Sequence, residues 1–248
     1  KTIEHEKPPD YDIAGILHRM YGDQYKCVSI KNNKWYEMVN GRWSEIDSGT
    51  TLRKKLSSQL ALKYTLKAKE LVEKMTNLEK NPAPTESKAA SDDDDGMKKL
   101  QKLAGRTAGI GLDLRRTHNK NNIMKEAKEH FFDKLFLDKL DNNPYLLCFK
   151  NGVIDFKKKE FSMTKPDDYV SLCTHIDYVE FDETNSEHIR IKKEITDFFA
   201  QLFPEPELNR YIWHHLAAAL DGTNKNQIFN IYTGTGRNGK SKLVELLG

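Results

Sequence analysis

The apolar residues of the chain change their spacing several times, and each change marks an element. Ile13, Ile16, Leu17 and Met20 fall on one face of a helix that Asp10 or Asp12 can cap and Gly22 stops. Three short runs follow, Lys26–Ile30, Trp35–Val39 and Trp43–Ile46, separated by Asn32-Asn33 and Asn40-Gly41. Asn-Gly between two aromatic runs is a strong hairpin signal, so the spacing predicts a three-stranded meander with Trp35 and Trp43 near one another. The two tryptophans fit a base-stacking pair or a cross-strand pair that covers a small core. Leu52, Leu56, Leu60, Leu66 and Leu71 mark a long amphipathic helix over 52–78, which Asn81-Pro-Ala-Pro84 ends. Thr85–Gly96, with Asp92–Asp95, reads as a flexible low-complexity linker.

Helical spacing returns at Met97 with Leu100, Leu103, Ala104 and Ala108, and Gly109-Ile-Gly111 is expected to interrupt it. Arg115–Lys120 reads as a polar, phosphate-facing loop, and a capped helix follows from about 121 to 140 with Ile123, Ala127, Phe131, Leu135 and Phe136 on one side. Asn143-Pro144 breaks it. Tyr145–Phe149, Val153–Phe156, Phe161–Met163 and Tyr169–Phe181 read as strands joined by charged turns. Two helices come next. Ile191, Ile195, Phe198, Phe199 and Leu202 line the first, and Leu208, Tyr211, Ile212, Leu216 and Leu220 line the second. His214 and His215 are adjacent on the second helix and share no face, which argues against a metal site there.

The last apolar run, Ile228–Tyr232, has strand composition and leads into Gly234-Thr235-Gly236-Arg237-Asn238-Gly239-Lys240-Ser241. These eight residues fit the phosphate-binding loop pattern at every fixed position, and Leu243, Val244, Leu246 and Leu247 continue at helical spacing. The glycines permit φ > 0 and close backbone approach, and the new helix adds its free N–H groups and dipole. Lys240, the expected catalytic residue, would reach the β- and γ-phosphates of ATP, and the Ser241 hydroxyl would take a place on Mg²⁺. The expected nucleotide-binding set is Gly234, Thr235, Gly236, Arg237, Asn238, Gly239, Lys240, Ser241 and Lys242. The acidic residue on a later strand and the arginine finger that hydrolysis needs do not follow before Gly248. The sequence therefore reads as the front part of a longer protein, able to cradle phosphate but not to hydrolyse it.

Composition narrows the rest. Of 248 residues 31% are charged and 38% apolar, which suits one large or two small globular domains rather than a disordered chain. A net charge of +3 decides nothing, but its distribution is uneven: 97–139 holds eleven Lys/Arg against five Asp/Glu, and 52–74 seven against two. Basic faces of this kind attract nucleic acid and are also ordinary solvated helix sides; Arg115, Arg116 and Lys120 are the candidate phosphate contacts. Cys27, Cys148 and Cys173 share no metal spacing and read as free thiols in a reducing, intracellular compartment. No run reaches membrane-spanning length.

LLCFKNGVIDFKKKEFSMTKPDDYVS at 146–171, YIWHHLAAALDGTNKNQ at 211–227 and IFNIYTGTGRNGKSKLVELLG at 228–248 occur in that order. Together they resemble the primase–helicases of poxviruses and other nucleo-cytoplasmic large DNA viruses, whose marks are an "NGV-D" turn and a "GRNGKS" phosphate loop. The resemblance is clear from about residue 143, loose over 10–80 and absent across the linker. It implies a helix-rich region before a superfamily-three helicase of AAA+ type, with primase upstream. It also implies ATP and Mg²⁺, single-stranded or forked DNA, a homo-hexameric ring, other replication proteins and viral replication sites in the host cytoplasm. The helix pair would be the collar between subunits. The Asn151-Gly152-Val153 turn has a simpler structural explanation, the φ > 0 of a tight turn.

The fold expected is α+β and helix-rich, with small antiparallel β elements, ending in the first strand–loop–helix of an AAA+-type domain. Its segments are a tail at 1–9, helix, meander and long helix at 10–80, a linker at 81–96, a basic helical and β region at 97–185, a collar-like pair at 186–225 and the start of a P-loop domain at 226–248. Two other readings stand beside the helicase: a DNA-binding or oligomerisation scaffold without its own catalysis, and a P-loop kinase.

Overall fold

The computed structural model describes residues 2–5, 7–80, 90–220, 222, 223, 231–234, 236 and 239–247. The chain is a helix-rich α+β protein with two antiparallel three-stranded sheets, β1-β2-β3 and β4-β5-β6. It divides into two compact units, Lys1–Lys139 and Leu140–Gly248.

The first unit opens with α1 (Asp10–Tyr21). Pro9 is its N-cap, so Asp10 and Asp12, read from sequence as caps, sit in the first turn, where they favour the positive end of the helix dipole. Ile13, Ala14 and Leu17 are buried from one face. The expected meander forms from β1 (Tyr25–Ser29), β2 (Lys34–Val39) and β3 (Arg42–Asp47). Asn40 (φ 50°) and Gly41 (φ 76°) make a two-residue loop with both centres left-handed, the type I′ geometry that matches strand twist. That loop pairs Trp35 with Ile46 and Trp43 with Met38.

The expected long helix is present with a wider turn inside it: α2 (Thr50–Lys55), a π segment (Leu56–Leu60) and α3 (Ala61–Lys80). Residues four apart drift by about 40° per step around an ideal α-helix, and a π turn absorbs that drift. Leu52, Leu56, Leu60 and Tyr64 therefore all stay buried.

Helix α4 (Ala90–Asp113) begins inside the stretch read as a linker and runs straight through Gly109 and Gly111. The expected interruption does not occur. Gly111 serves contact instead: a Cβ there would lie 3.3 Å from the Ala61 carbonyl oxygen, so its absence lets α4 pack closely on α3.

Helix α5 (Thr117–His130) also departs from expectation, since it starts four residues before the sequence suggests and ends at His130 rather than near 140. Its last carbonyls give way to tertiary bonds: the Cys27 N–H donates to the Phe131 carbonyl at 2.9 Å, and the Asp133 N–H to the Cys27 carbonyl at 3.0 Å. These two bonds pair the outer edge of β1. The chain then turns into α6 (Phe136–Lys139), whose Phe136 is fully buried against Trp43 and Tyr36. At the N-terminus Ile3 packs against the core, and the Tyr64 hydroxyl donates to Thr2 Oγ1 at 3.0 Å.

The second unit holds β4 (Leu146–Phe149), β5 (Gly152–Asp155) and β6 (Glu160–Ser162). Residues 169–181, expected as a strand, form no strand. Backbone bonds tie them to β4 and the turn after it, Thr174 N–H to the Cys148 carbonyl (3.0 Å) and Lys150 N–H to the Ile176 carbonyl (2.9 Å).

The expected helix pair is α7 (Ser186–Leu202), capped by the Asn185 side chain, and α8 (Pro206–Ala219), which carries proline at its first turn. Phe199, Ile212, Leu216 and Leu243 form their buried core. Ile191, Leu208, Tyr211 and Leu220, expected to line the pair, are exposed instead. A final helix, α9 (Lys240–Leu247), contributes Leu243 to the cluster.

Candidate functional site

The glycine-rich turn is the densest concentration of candidate chemistry in the chain. Thr235, Arg237 and Asn238 lie outside the described residues, as does most of the strand expected over 228–232. Gly236 (φ 93°) and Gly239 (φ 80°) occupy the left-handed region that a side chain disfavours, directly before α9. Among the described residues nothing lies within 4 Å of the place a Cβ would take on Gly236, whereas on Gly239 it would meet Leu202 Cδ1 at 2.6 Å. The missing side chain of Gly239 lets the backbone press on the end of α7.

Helix α9 starts at Lys240, and its first bond runs from Leu243 N–H to the Gly239 carbonyl at 3.0 Å. Lys240 is half-buried, and Ser241 is exposed in the first turn. Leu243, 2% exposed, anchors the helix against Phe199, Ile212 and Leu216. The N–H groups of the first turn have no partners inside the helix, so its N-terminus is chemically suited to an anion. Lys242, also expected at the nucleotide, pairs with Glu245 at 2.6 Å on the outer face of α9. The Tyr232 hydroxyl meets His215 Nε2 at 2.9 Å, tying the residues before the loop to α8.

Arg115 and Arg116 lie on the short connection between α4 and α5, as expected, whereas Lys120 lies within α5. Arg116 is the N-cap residue of α5, Arg115 precedes it, and Lys120 is one turn into the helix. Both arginines are exposed; Arg116 pairs with Asp113 at 3.1 Å, and its side chain keeps 74% of its surface. A fourth basic group, not among the expected contacts, joins the same helix end: Arg53 of α2 donates to Asn121 Oδ1 at 2.9 Å. These cations stand at the positive end of the α5 dipole, a second reason for an anion to settle there.

The Asn151-Gly152-Val153 turn works differently from its sequence reading. Neither Asn151 nor Gly152 has positive φ. The Asn151 amide clamps a distant backbone instead, donating to the Tyr178 carbonyl at 2.8 Å and accepting from the Tyr178 N–H at 2.9 Å. A Cβ on Gly152 would fall 2.5 Å from the Ser162 carbonyl oxygen and 2.6 Å from the Phe161 ring. The turn therefore needs an amide at 151 and no side chain at 152, to hold Tyr178 and Phe161 in place.

The profile described as "D5 N terminal like" matches residues 14–200. This chain belongs to that family. Its relatives come from large DNA viruses. The chain is 37% identical to a "Putative helicase" of Acanthamoeba polyphaga mimivirus over 237 residues, 96% of this chain and 23% of that protein. It is 27% identical to a "Putative helicase" of Invertebrate iridescent virus 3, covering 94% of this chain and 25% of the relative. It is 26% identical over 130 residues to a "Putative primase" of African swine fever virus, covering 52% and 13%. The chain spans about a quarter of the length of the two helicase relatives. Among the described residues, no helix is long and apolar enough to cross a membrane.

Proposed function

We propose that this chain is the pre-helicase region, with the leading edge of the helicase domain, of a viral replicative primase–helicase that unwinds DNA at the expense of ATP. The observation that carries the reading is the pair of left-handed glycines, Gly236 and Gly239, set directly before the N-terminus of α9. Family membership supports it, as does alignment over nearly the whole chain with proteins named as helicases.

In this reading the start of α9 and the glycine backbone before it would hold the phosphates of ATP. Lys240 would reach the β- and γ-phosphates and Ser241 would hold Mg²⁺, with Thr235, Arg237 and Asn238 of the same pattern as further candidates. The residues present suit that substrate, because Gly236 and Gly239 hold left-handed backbone and Ser241 is exposed in the first turn of α9. Arg115, Arg116 and Lys120 hold the phosphates of single-stranded or forked DNA without reading its sequence.

The α7–α8 pair acts as the collar that packs one copy against the next in a hexameric ring. Its support is an apolar groove of about 750 Å³ lined by Val179, Phe181, Ile191, Ile195 and Trp213. A soluble monomer seldom leaves so many large apolar residues open to water.

Unwinding of a forked duplex by the chain extended to the length of its relatives tests the reading. Strand separation that requires ATP and is lost in Lys240→Ala is expected; unwinding that survives that change removes the loop from the mechanism.

A further inference from the structure

The second unit carries an aromatic platform between two basic turns that the ATP reading leaves unused. In the β4–β5–β6 sheet, Leu147, Ile154 and Phe161 stand opposite one another and share a face, while Leu146, Asp155 and Glu160 share the other. The acidic side chains of these strands are thus segregated from Phe161. On the Phe161 face, Tyr178 stacks on that ring with centroids 4.6 Å apart and planes 27° apart, and it meets Phe149 at 5.5 Å. Tyr178 is held there by the Asn151 amide from both sides, so the stack is preorganised. Phe161 remains 39% exposed, and Met163, next on the same side, 80%.

Cations flank this surface at both ends of the sheet. Lys150 sits in the β4–β5 turn, and Lys157, Lys158 and Lys159 form the β5–β6 turn, all exposed. The second turn is rigid. Asp155 accepts from the Lys157 N–H (2.9 Å) and the Lys158 N–H (3.2 Å), and the Lys159 N–H donates to the Asp155 carbonyl at 2.7 Å. Asp155 also pairs with the Lys158 ammonium at 3.3 Å, and the Lys157 ammonium lies 4.0 Å from the Tyr145 ring centre. Both contacts are at the surface and easily exchanged for a phosphate.

We propose that Phe161, Tyr178 and the Lys157–Lys159 turn form a binding site for single-stranded nucleic acid. A base stacks on Phe161, and the lysines take the flanking phosphates. This is the combination by which single strands are held without sequence preference: π-faces for any base and cations along the backbone. Asp155 and Glu160 lie on the opposite face, and Asp177 and Glu180 neighbour Tyr178 in the chain. The proposal rests on the reading that this chain handles DNA strands, and it names a second contact separate from Arg115, Arg116 and Lys120.

Anisotropy of labelled oligothymidine with the full chain, at several salt concentrations, tests it. The triple change Lys157→Gln, Lys158→Gln, Lys159→Gln leaves the fold alone, since those side chains are exposed. It should lower the slope of log affinity against log salt by about 2, because each single-strand phosphate contact contributes about 0.7. Phe161→Ala should weaken binding about tenfold at unchanged salt slope, with Phe161→Trp restoring it. Wild-type binding that neither variant alters overturns the proposal and leaves the DNA reading standing on other residues. No wild-type binding removes both for this chain. Polyglutamate that competes as well as oligothymidine makes the site one for an acidic protein segment, and the proposal falls.

Discussion

Trp35 and Trp43 sit on adjacent strands of one hairpin, yet they are buried on opposite faces of it. Trp35 packs toward the helices beside Phe131, with ring centres 5.6 Å apart, and Trp43 packs outward on Phe136, at 5.0 Å. The register explains the split, because Trp35 pairs with Ile46 and Trp43 with Met38, an odd offset that sends the two indoles apart. Phe131 and Phe136 thus cover one face each. With Trp35 at 0% and Trp43 at 1% exposure, neither ring is open to a base. Replacing either with alanine should cost the first unit about 3–5 kcal/mol, read as a shift in denaturation midpoint. DNA affinity measured where the variant stays folded should be unchanged.

The second unit depends on a different pair, Asn151 and Gly152. Gly152→Ala drives a methyl group into the Ser162 carbonyl, a backbone atom that cannot swing away, and should destabilise the sheet by about 1–3 kcal/mol. Asn151→Ala removes both bonds to Tyr178, at about 1 kcal/mol each. Hydrogen exchange of the Tyr178 amide should quicken in Asn151→Ala and stay slow in the wild type.

Acid should loosen the α1–α5 contact. Burial first, then the positive neighbours His130, Lys26 and Arg19, hold the His18 pKa below its ordinary value, with Asp23 opposing them. The unfolded chain therefore takes up the proton more readily than the folded one. Stability is unaffected well above the ordinary value of about 6.5, and falls as pH drops through it until the folded form also protonates. The unfolding midpoint should decline from pH 7 to 5, and less steeply in His18→Gln. An equal decline in both would assign the effect to other groups.

The collar is open to test through two exposed residues. Ile191 and Trp213 line the apolar groove and are 42% and 38% exposed. Ile191→Glu with Trp213→Glu in a protein of the relatives' length should shift its sedimentation from ring to monomer. An unchanged ring would place the interface elsewhere.

Much of the architecture was legible in the sequence, because α1, the meander and the α7–α8 pair follow from local periodicity and turn chemistry. The departures are tertiary. No stop signal follows His130, and α5 ends there because Cys27 offers its N–H and carbonyl from another strand. Gly109 and Gly111 look like breakers, but α4 continues through them and uses the missing side chain of Gly111 to approach α3. The left-handed backbone of Gly236 and Gly239 was legible because glycine spacing encodes it. The Phe161–Tyr178 platform was not, since its clamp joins residues 27 apart through an asparagine side chain. Arg53 at the α5 terminus is hidden from sequence for the same reason, as its partner Asn121 is 68 residues away.

The most direct test of the helicase account is the rate of ATP hydrolysis by the chain extended past Gly248, with and without single-stranded DNA, and with Lys240→Ala alongside. The account predicts turnover that rises with DNA and disappears in the variant. Nucleotide binding with hydrolysis indifferent to DNA would contradict it, and would leave the chain a scaffold or kinase-like module that shares only its fold with the viral helicases.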